Sequence, residues 1–334
     1  MSENDPLLND PLLEEPGIRR RWWRSSAGRG RLWRWSLRGL LVLLILAALY
    51  YPVGMLIIHR IDDDPNFQAP ETPEGASRAV ALAAALIDRE VGQHGWPSND
   101  PFFLPGWALD NMPNYQQGIV SALARFATEM RYQIGRVRGT SQADPDLEKA
   151  AGQLSYSPTV WVFDLSTSWL PTTSSEEQYL SAARLLRTFN DRLARGQAVF
   201  ERRADNLLGT LDRIAADLGS ASAILDKQVQ EHSGDWVDFQ ADDIFYATKG
   251  RLYAYGLLLR DLGTDFAPVI AERDLKAAWA QMLETFNTAA ALDPLVVVNG
   301  RPDAFIRPSH LAAQGFFLLR ARTQLREISN ILQK

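Results

Sequence analysis

The chain has 334 residues, a formal net charge of −5 and no cysteine. An apolar share of 46% and a charged share of 22% exclude a disordered or fibrous chain. The missing thiols exclude disulfides, a thiolate nucleophile and cysteine-ligated metal, and the length allows one or two folded units at roughly 150 residues each.

The charge is divided unevenly. Residues 1–38 carry eight arginines and five acids, a net of +3, whereas residues 61–334 carry 26 basic and 35 acidic residues, a net of −9. A basic head and an acidic body point to two environments. The head reads as a disordered arm that holds the doubled motif DPLL (Asp5–Leu8 and Asp10–Leu13) and the tryptophans Trp22, Trp23, Trp33 and Trp35. Trp sits at the headgroup level and Arg pairs with lipid phosphate, so Arg31, Trp33, Arg34, Trp35 and Arg38 are the expected membrane-interface anchors. A sharper reading makes the arm a binder of anionic lipid or of a partner. Nucleic acid is not expected, because no folded module accompanies the short basic run.

From Gly39 to Ile58 there are 20 residues without a charge. At 1.5 Å per residue they span about 30 Å, the thickness of a bilayer core. The arginines precede this run and Asp62, Asp63 and Asp64 follow it, which places the N-terminus in the cytoplasm and the body outside. The run exceeds the usual signal-peptide core and no small-residue cleavage site follows closely, so an uncleaved signal anchor over 39–59 is expected. This predicts a single-pass protein of a bacterial inner membrane with a periplasmic C-terminal domain.

Residues 60–76, with three prolines and five acids, read as a solvated linker, and the domain is expected over 77–334. The triplet Asp62–Asp64 lacks the spacing of a calcium loop. A helix begins behind the N-cap Ser77, with Val80, Leu82, Ala83, Leu86 and Ile87 on one face. Residues 92–113 break it with Pro97, Pro101, Pro105 and Pro113. Trp96, Phe102, Phe103, Trp107 and Tyr115 crowd the same stretch. They form either a loop tucked into the core or a lip for sugar or peptide with Trp96 and Trp107 as stacking platforms; buried aromatics are the commoner case.

A second helix is expected over 115–136 and a short one over 145–153 behind the N-cap Asp144. Thr159–Asp164 (TVWVFD) and the run 296–298 read as short strands or extended segments. The strongest pattern fills 175–230, where Leu186, Leu193, Phe200, Leu207, Ile214 and Ala221 recur every seven residues. Leu207, Leu211, Ile214, Leu218 and Leu225 make a coiled-coil-like seam, a candidate surface for self-association or a partner, while an intrachain bundle is the plainer reading. Gly196 and Gly219 are the candidate breaks. Helices over 241–262, 271–291 and 309–333 complete an all-α domain with at most two short strands.

Catalytic signatures are missing: no GxGxxG, GxxxxGKS/T, HExxH or GxSxG occurs. The four histidines (His59, His94, His232, His310) are far apart, so neither a metal nor a cofactor is expected. Glu90, Glu129, Asp242 and Asp243 are conceivable acids, but spacing in sequence does not set two carboxylates at glycosidase distance.

Several strings, however, resemble a known family: QGIVSALARFATEMRYQIGRVRGTSQADPDL (117–147), FERRADNLLGTLDRIAADLGSAS (200–222), ATKGRLYAYGLLLRDLG (247–263), VVVNGRPD (296–303) and SHLAAQGFFLLRARTQLREISNIL (309–332). They are similar to an uncharacterised proteobacterial inner-membrane family catalogued as a domain of unknown function, DUF2333. The resemblance implies a single-span protein with a periplasmic helical domain and brings no catalytic residue. Two functions follow as expectations. One is a non-enzymatic envelope interaction or scaffold protein whose partners are the bilayer and another envelope protein or itself. The other is a protein that binds or cleaves cell-wall glycan through the 92–115 loop; it requires Trp96, Trp107 and a carboxylate to line one open groove.

Overall fold

The computed structural model describes residues 26–137, 142–163, 169–235, 238–302 and 307–334. The DPLL repeat, Trp22, Trp23 and the side chain of Arg31 lie outside the described residues. Residues up to Tyr50 and residues from Tyr51 onward form two units.

Helix α1 is Ser26–Ile58, and its Trp33–Ile58 portion is long and apolar enough to cross a membrane. It begins well before the expected Gly39. Residues 26–38 are therefore helical rather than disordered, because nothing in them stops the helix from propagating backward out of the apolar run. The anchors Trp33, Arg34, Trp35 and Arg38 all lie on α1, with the Arg38 guanidinium 5.8 Å from the Trp35 ring centre.

The second unit is all-α. Its helices are α2 (Arg78–Ile87), α3 (Asn111–Glu129), α4 (Pro145–Leu154), α5 (Ser175–Ala194), α6 (Ala204–His232), α7 (Gln240–Asp265), α8 (Ala267–Glu272), α9 (Lys276–Ala290) and α10 (His310–Leu332). Strands β1 (Gly135–Val137) and β2 (Ala198–Phe200) pair antiparallel, with Arg136 opposite Val199. Helix α3 lies along α7, α6 along α10, and α4 along α5. Crossing α3 and α7 so closely requires glycine at the contact. A Cβ on Gly118 would strike the Ala247 carbonyl, and one on Gly250 would strike the Tyr115 carbonyl.

Three caps expected from sequence form. The Ser77, Asp144 and Ser309 side chains accept from Val80 N–H, Asp146 N–H and Ala312 N–H. The first is reinforced from a distance. Asp265, at the end of α7, accepts from the Ser77 hydroxyl at 2.6 Å and from the Arg78 and Ala79 N–H groups, and Asn190 of α5 bonds both backbone groups of Ser77. One α2 N-terminus thus ties three helices together.

The heptad run is two helices. Gly196 takes φ +66°, and the N–H groups of Gly196 and Gln197 bond back to Leu193 and Arg192, a Schellman-type stop that glycine makes without strain. Gly219 lies inside α6 and breaks nothing. The seam Leu207, Leu211, Ile214, Leu218 and Leu225 is buried within the chain, on the helix that packs against α10. Its apolar surface serves the bundle and is not offered to a partner.

Of the two segments expected as strand or extended chain, neither forms a strand among the described residues. Residues 159–163 make no strand; they run as a loop held by Thr172 N–H to Val162 C=O and Ser175 N–H to Val160 C=O. Asp164, the end of that expected strand, lies outside the described residues. Residues 296–298 also form no strand; the neighbouring Asn299 makes a lone bridge to Ser309. The observed strands sit where helix was expected, because a local pairing of β1 with β2 satisfied the backbone at two helix ends.

Candidate functional site

The first feature is the segment after α1. Asp62 and Asp63 are half-buried there, while the Asp64 side chain stays exposed. The Asp62 and Asp64 carbonyls accept from the Tyr115 and Tyr253 hydroxyls, each at 2.8 Å. Arg89 donates to the Asp62 carbonyl at 2.8 Å and stands 3.3 Å from its carboxylate. The Asp63 carboxylate meets the fully buried Lys249 ammonium at 2.7 Å, and Arg260 donates to the Pro65 carbonyl at 3.0 Å. A strap of acids is thus clamped onto α2, α3 and α7. The expected linker has no slack over this stretch, because buried cations on distant helices supply its partners.

Residues Asp88–Gln93 form a π-helical turn, and Arg89, Glu90 and Val91 are all buried. Arg89 bonds Glu90 at 2.7 Å and lies over the Phe67 ring at 4.4 Å. Burial works against its charge, but Glu90, Tyr253 and Asp62 outweigh that and raise its pKa above the usual range. Burial likewise pushes the Tyr115 and Tyr253 phenols upward, which keeps them protonated as donors. Glu90, a conceivable catalytic acid from sequence, is committed to Arg89 and to Gln116.

The aromatic segment splits. Trp96 is buried; its indole N–H donates to the Pro158 carbonyl at 2.8 Å and its ring meets Tyr179 edge-on at 5.1 Å. Tyr115 is fully buried in the clamp. Phe102, Phe103 and Trp107 are exposed, at 70%, 49% and 60%. Asp100 stands among them. Burial, and then the charge of Glu176, push its carboxyl up to about 6.

Trp96 forms one end of a groove of about 510 Å³ between α3, α4 and α7. Gln117, Ser121, Arg125, Tyr156 and Arg251 line it further along. Arg251 donates to the Ser121 hydroxyl at 3.3 Å. Behind the groove the buried Asp217 accepts from Tyr255 at 2.9 Å and stands 3.4 Å from Arg251 and 3.6 Å from Arg125. One carboxylate thus faces two guanidinia, which leaves the groove cationic. Trp107 does not line it. The arrangement of two tryptophans on one groove, which the glycan reading required, is therefore not realised.

Among the described residues no group of three or more His, Asp or Glu is placed to hold a metal. Asp242 and Asp243 sit in the first turn of α7, as expected of a helix start, and Glu129 stands 3.3 Å from Arg213. Sequence reading missed Arg89, Lys249, Arg125 and Arg251. The signal for the first two was a cation within a largely apolar stretch, in LAAALIDREV and ATKGRLYAYG. Arg251 lies in the second string as well, but nothing in the sequence joins it to Arg125, because the groove exists only once α3 and α7 cross.

These features define a helical domain with a clamped strap and an open polar groove, joined to a helix apolar enough to cross a membrane. The chain belongs to DUF2333, uncharacterised proteins conserved in bacteria, whose family profile matches residues 60–236. The match opens at the strap and ends past α6, a narrower extent than the resembling strings, three of which lie beyond it. No curated protein and no solved structure matches the chain.

Proposed function

We propose that this is a single-pass protein of the bacterial inner membrane whose C-terminal domain, outside the cytoplasm, is an interaction module that presents the α3–α4–α7 groove to another envelope protein. The topology rests on the basic N-terminal flank and the acidic body. The observation that carries the reading is the clamp. Between Ile58 and Asp62 only three residues intervene, at most about 10 Å of extended chain. Even these are held, since the Arg60 N–H bonds the Met112 sulfur at 3.2 Å. A domain that begins directly after the helix, with its first residues held, suits a docking platform better than one on a long free tether that must search. The groove carries amides, hydroxyls, an aromatic ring and two guanidinia, the groups that recognise an extended polar or acidic chain segment.

The test is in-cell photo-cross-linking of the full-length protein with a photoreactive residue at Gln117 in the groove, and a control at Glu272 on α8. A discrete envelope protein captured from Gln117 and not from Glu272 supports the reading. Muropeptides in place of protein would favour the wall-glycan alternative. Identical capture from both positions removes the groove from consideration.

A further inference from the structure

The exposed aromatics have no role in the groove or the clamp. Phe102, Phe103, Trp161 and Phe163 form a continuous edge-to-face chain, with ring centres 5.6, 5.8 and 5.5 Å apart. Trp107 follows on the same segment as Phe102 and Phe103 and is exposed, and Trp169, three residues before the Thr172 that bonds back to Val162, is 88% exposed. No charged residue occurs in 101–109, 156–163 or 169–175. Monomeric soluble domains rarely expose so much contiguous aromatic surface without something to cover it.

Its position names the cover. The Tyr51 hydroxyl, in α1, donates to the Phe102 carbonyl, and the Pro105 ring lies against the bare Cα of Gly54. The aromatic loop therefore runs beside the last two turns of α1. Tyr51 and Gly54 lie seven and four residues before the end of the helix at Ile58, which is about 6–10 Å along its axis. When α1 is embedded, the loop stands at the depth of the headgroups and the first acyl carbons. Trp and Phe are the side chains that partition there.

We propose that this aromatic face is a second membrane-contact surface, which dips into the outer interface of the bilayer that holds α1 and fixes the tilt of the domain. The proposal rests on the anchoring reading above. The strap sets how far the domain stands from the membrane, and the aromatic face sets which way it points. Together they aim the α3–α4–α7 groove.

The chain has no cysteine, so one introduced thiol gives one label. Full-length Phe102→Cys and Trp107→Cys, labelled with an environment-sensitive fluorophore, would be reconstituted in phosphatidylethanolamine–phosphatidylglycerol vesicles with and without lipid brominated near the headgroup. Val42→Cys in α1 and Glu272→Cys on α8 serve as the dry and wet references. The expected result is blue-shifted emission at residues 102 and 107 that brominated lipid quenches, while residue 272 is unshifted and unquenched. Quenching at residue 42 with residues 102 and 107 as wet as 272 overturns the contact surface and leaves the anchor standing. No quenching at residue 42 overturns both. Circular dichroism of each labelled chain confirms the fold, which substitutions at exposed side chains leave intact.

Discussion

The strap at residues 61–65 and the aromatic loop at residues 101–109 look miscast. The strap has three consecutive aspartates, yet it is clamped between helices by Arg89, Lys249, Tyr115 and Tyr253. The loop has two phenylalanines and a tryptophan, yet all three are exposed. Composition states what a segment pays to be buried or bared. Whether that cost is met depends on partners that come from elsewhere in the fold. One buried cation more than a hundred residues away, Lys249, met it for Asp63, and a lipid interface meets it for Phe102 in the arrangement proposed above.

The comparison is easiest to break at Arg89. Arg89→Leu leaves Glu90 charged and buried without its cation, which costs about 3–5 kcal/mol. The denaturation midpoint of the detergent-solubilised full chain should fall accordingly, and an unchanged midpoint would mean that the clamp holds nothing. Asp63→Asn is milder, because Asp63 is itself part-exposed and Lys249 keeps the Leu292 carbonyl at 2.8 Å. It should cost about 1–2 kcal/mol. Hydrogen exchange should also quicken in residues 61–67 first; loss spread evenly over the domain would argue against a local strap.

The loop half is sharpened by pH. Asp100 has a folded-state pKa of about 6 against an ordinary 3.8. The folded state then binds the proton more tightly than the unfolded one, so stability falls as pH rises from about 4 to 6 and is level above that. A shift of that size amounts to about 3 kcal/mol at most, which solvent screening at this part-exposed carboxylate cuts to about 1 kcal/mol. Asp100→Asn should make that slope shallower, leaving the share of the other buried carboxylates such as Glu176 and Asp265, which parallel denaturations at pH 4.5 and 7 would read. The smallest effect is expected at Phe102→Ser. An exposed ring contributes within about 0.5 kcal/mol to the fold, and a larger drop in detergent would show that the aromatic face is structural.

Much of the architecture was legible. The apolar run, the caps at Ser77, Asp144 and Ser309 and the helical spacing along α2, α3 and α10 depend on local rules, and the structure obeys them. Gly196 was legible as a candidate break, while Gly219, the same residue type in the same pattern, was not distinguishable from it. A glycine stops a helix where the flanking residues have something better to do. Here β2 pairs with β1 directly after Gly196, whereas Gly219 is followed by a second stretch of core-facing residues. The seam from Leu207 to Leu225 was legible as an apolar stripe, but periodicity does not say whether the facing helix belongs to the same chain.

The sequence by itself therefore determined the membrane-length helix, the all-α class, the capped starts and the apolar faces, because each follows from interactions within a few residues. Only the tertiary structure decided that the acids of the strap are clamped, that Trp96 turns inward while Trp107 turns outward, and that Arg125 and Arg251 share a groove. The groove rests on the α3–α7 crossing at Gly118 and Gly250, the strap on Lys249, Tyr115 and Tyr253, and the burial of Trp96 on the Pro158 carbonyl. Each pairs groups far apart in the chain, and no local pattern encodes the energy of a pairing whose members are that distant.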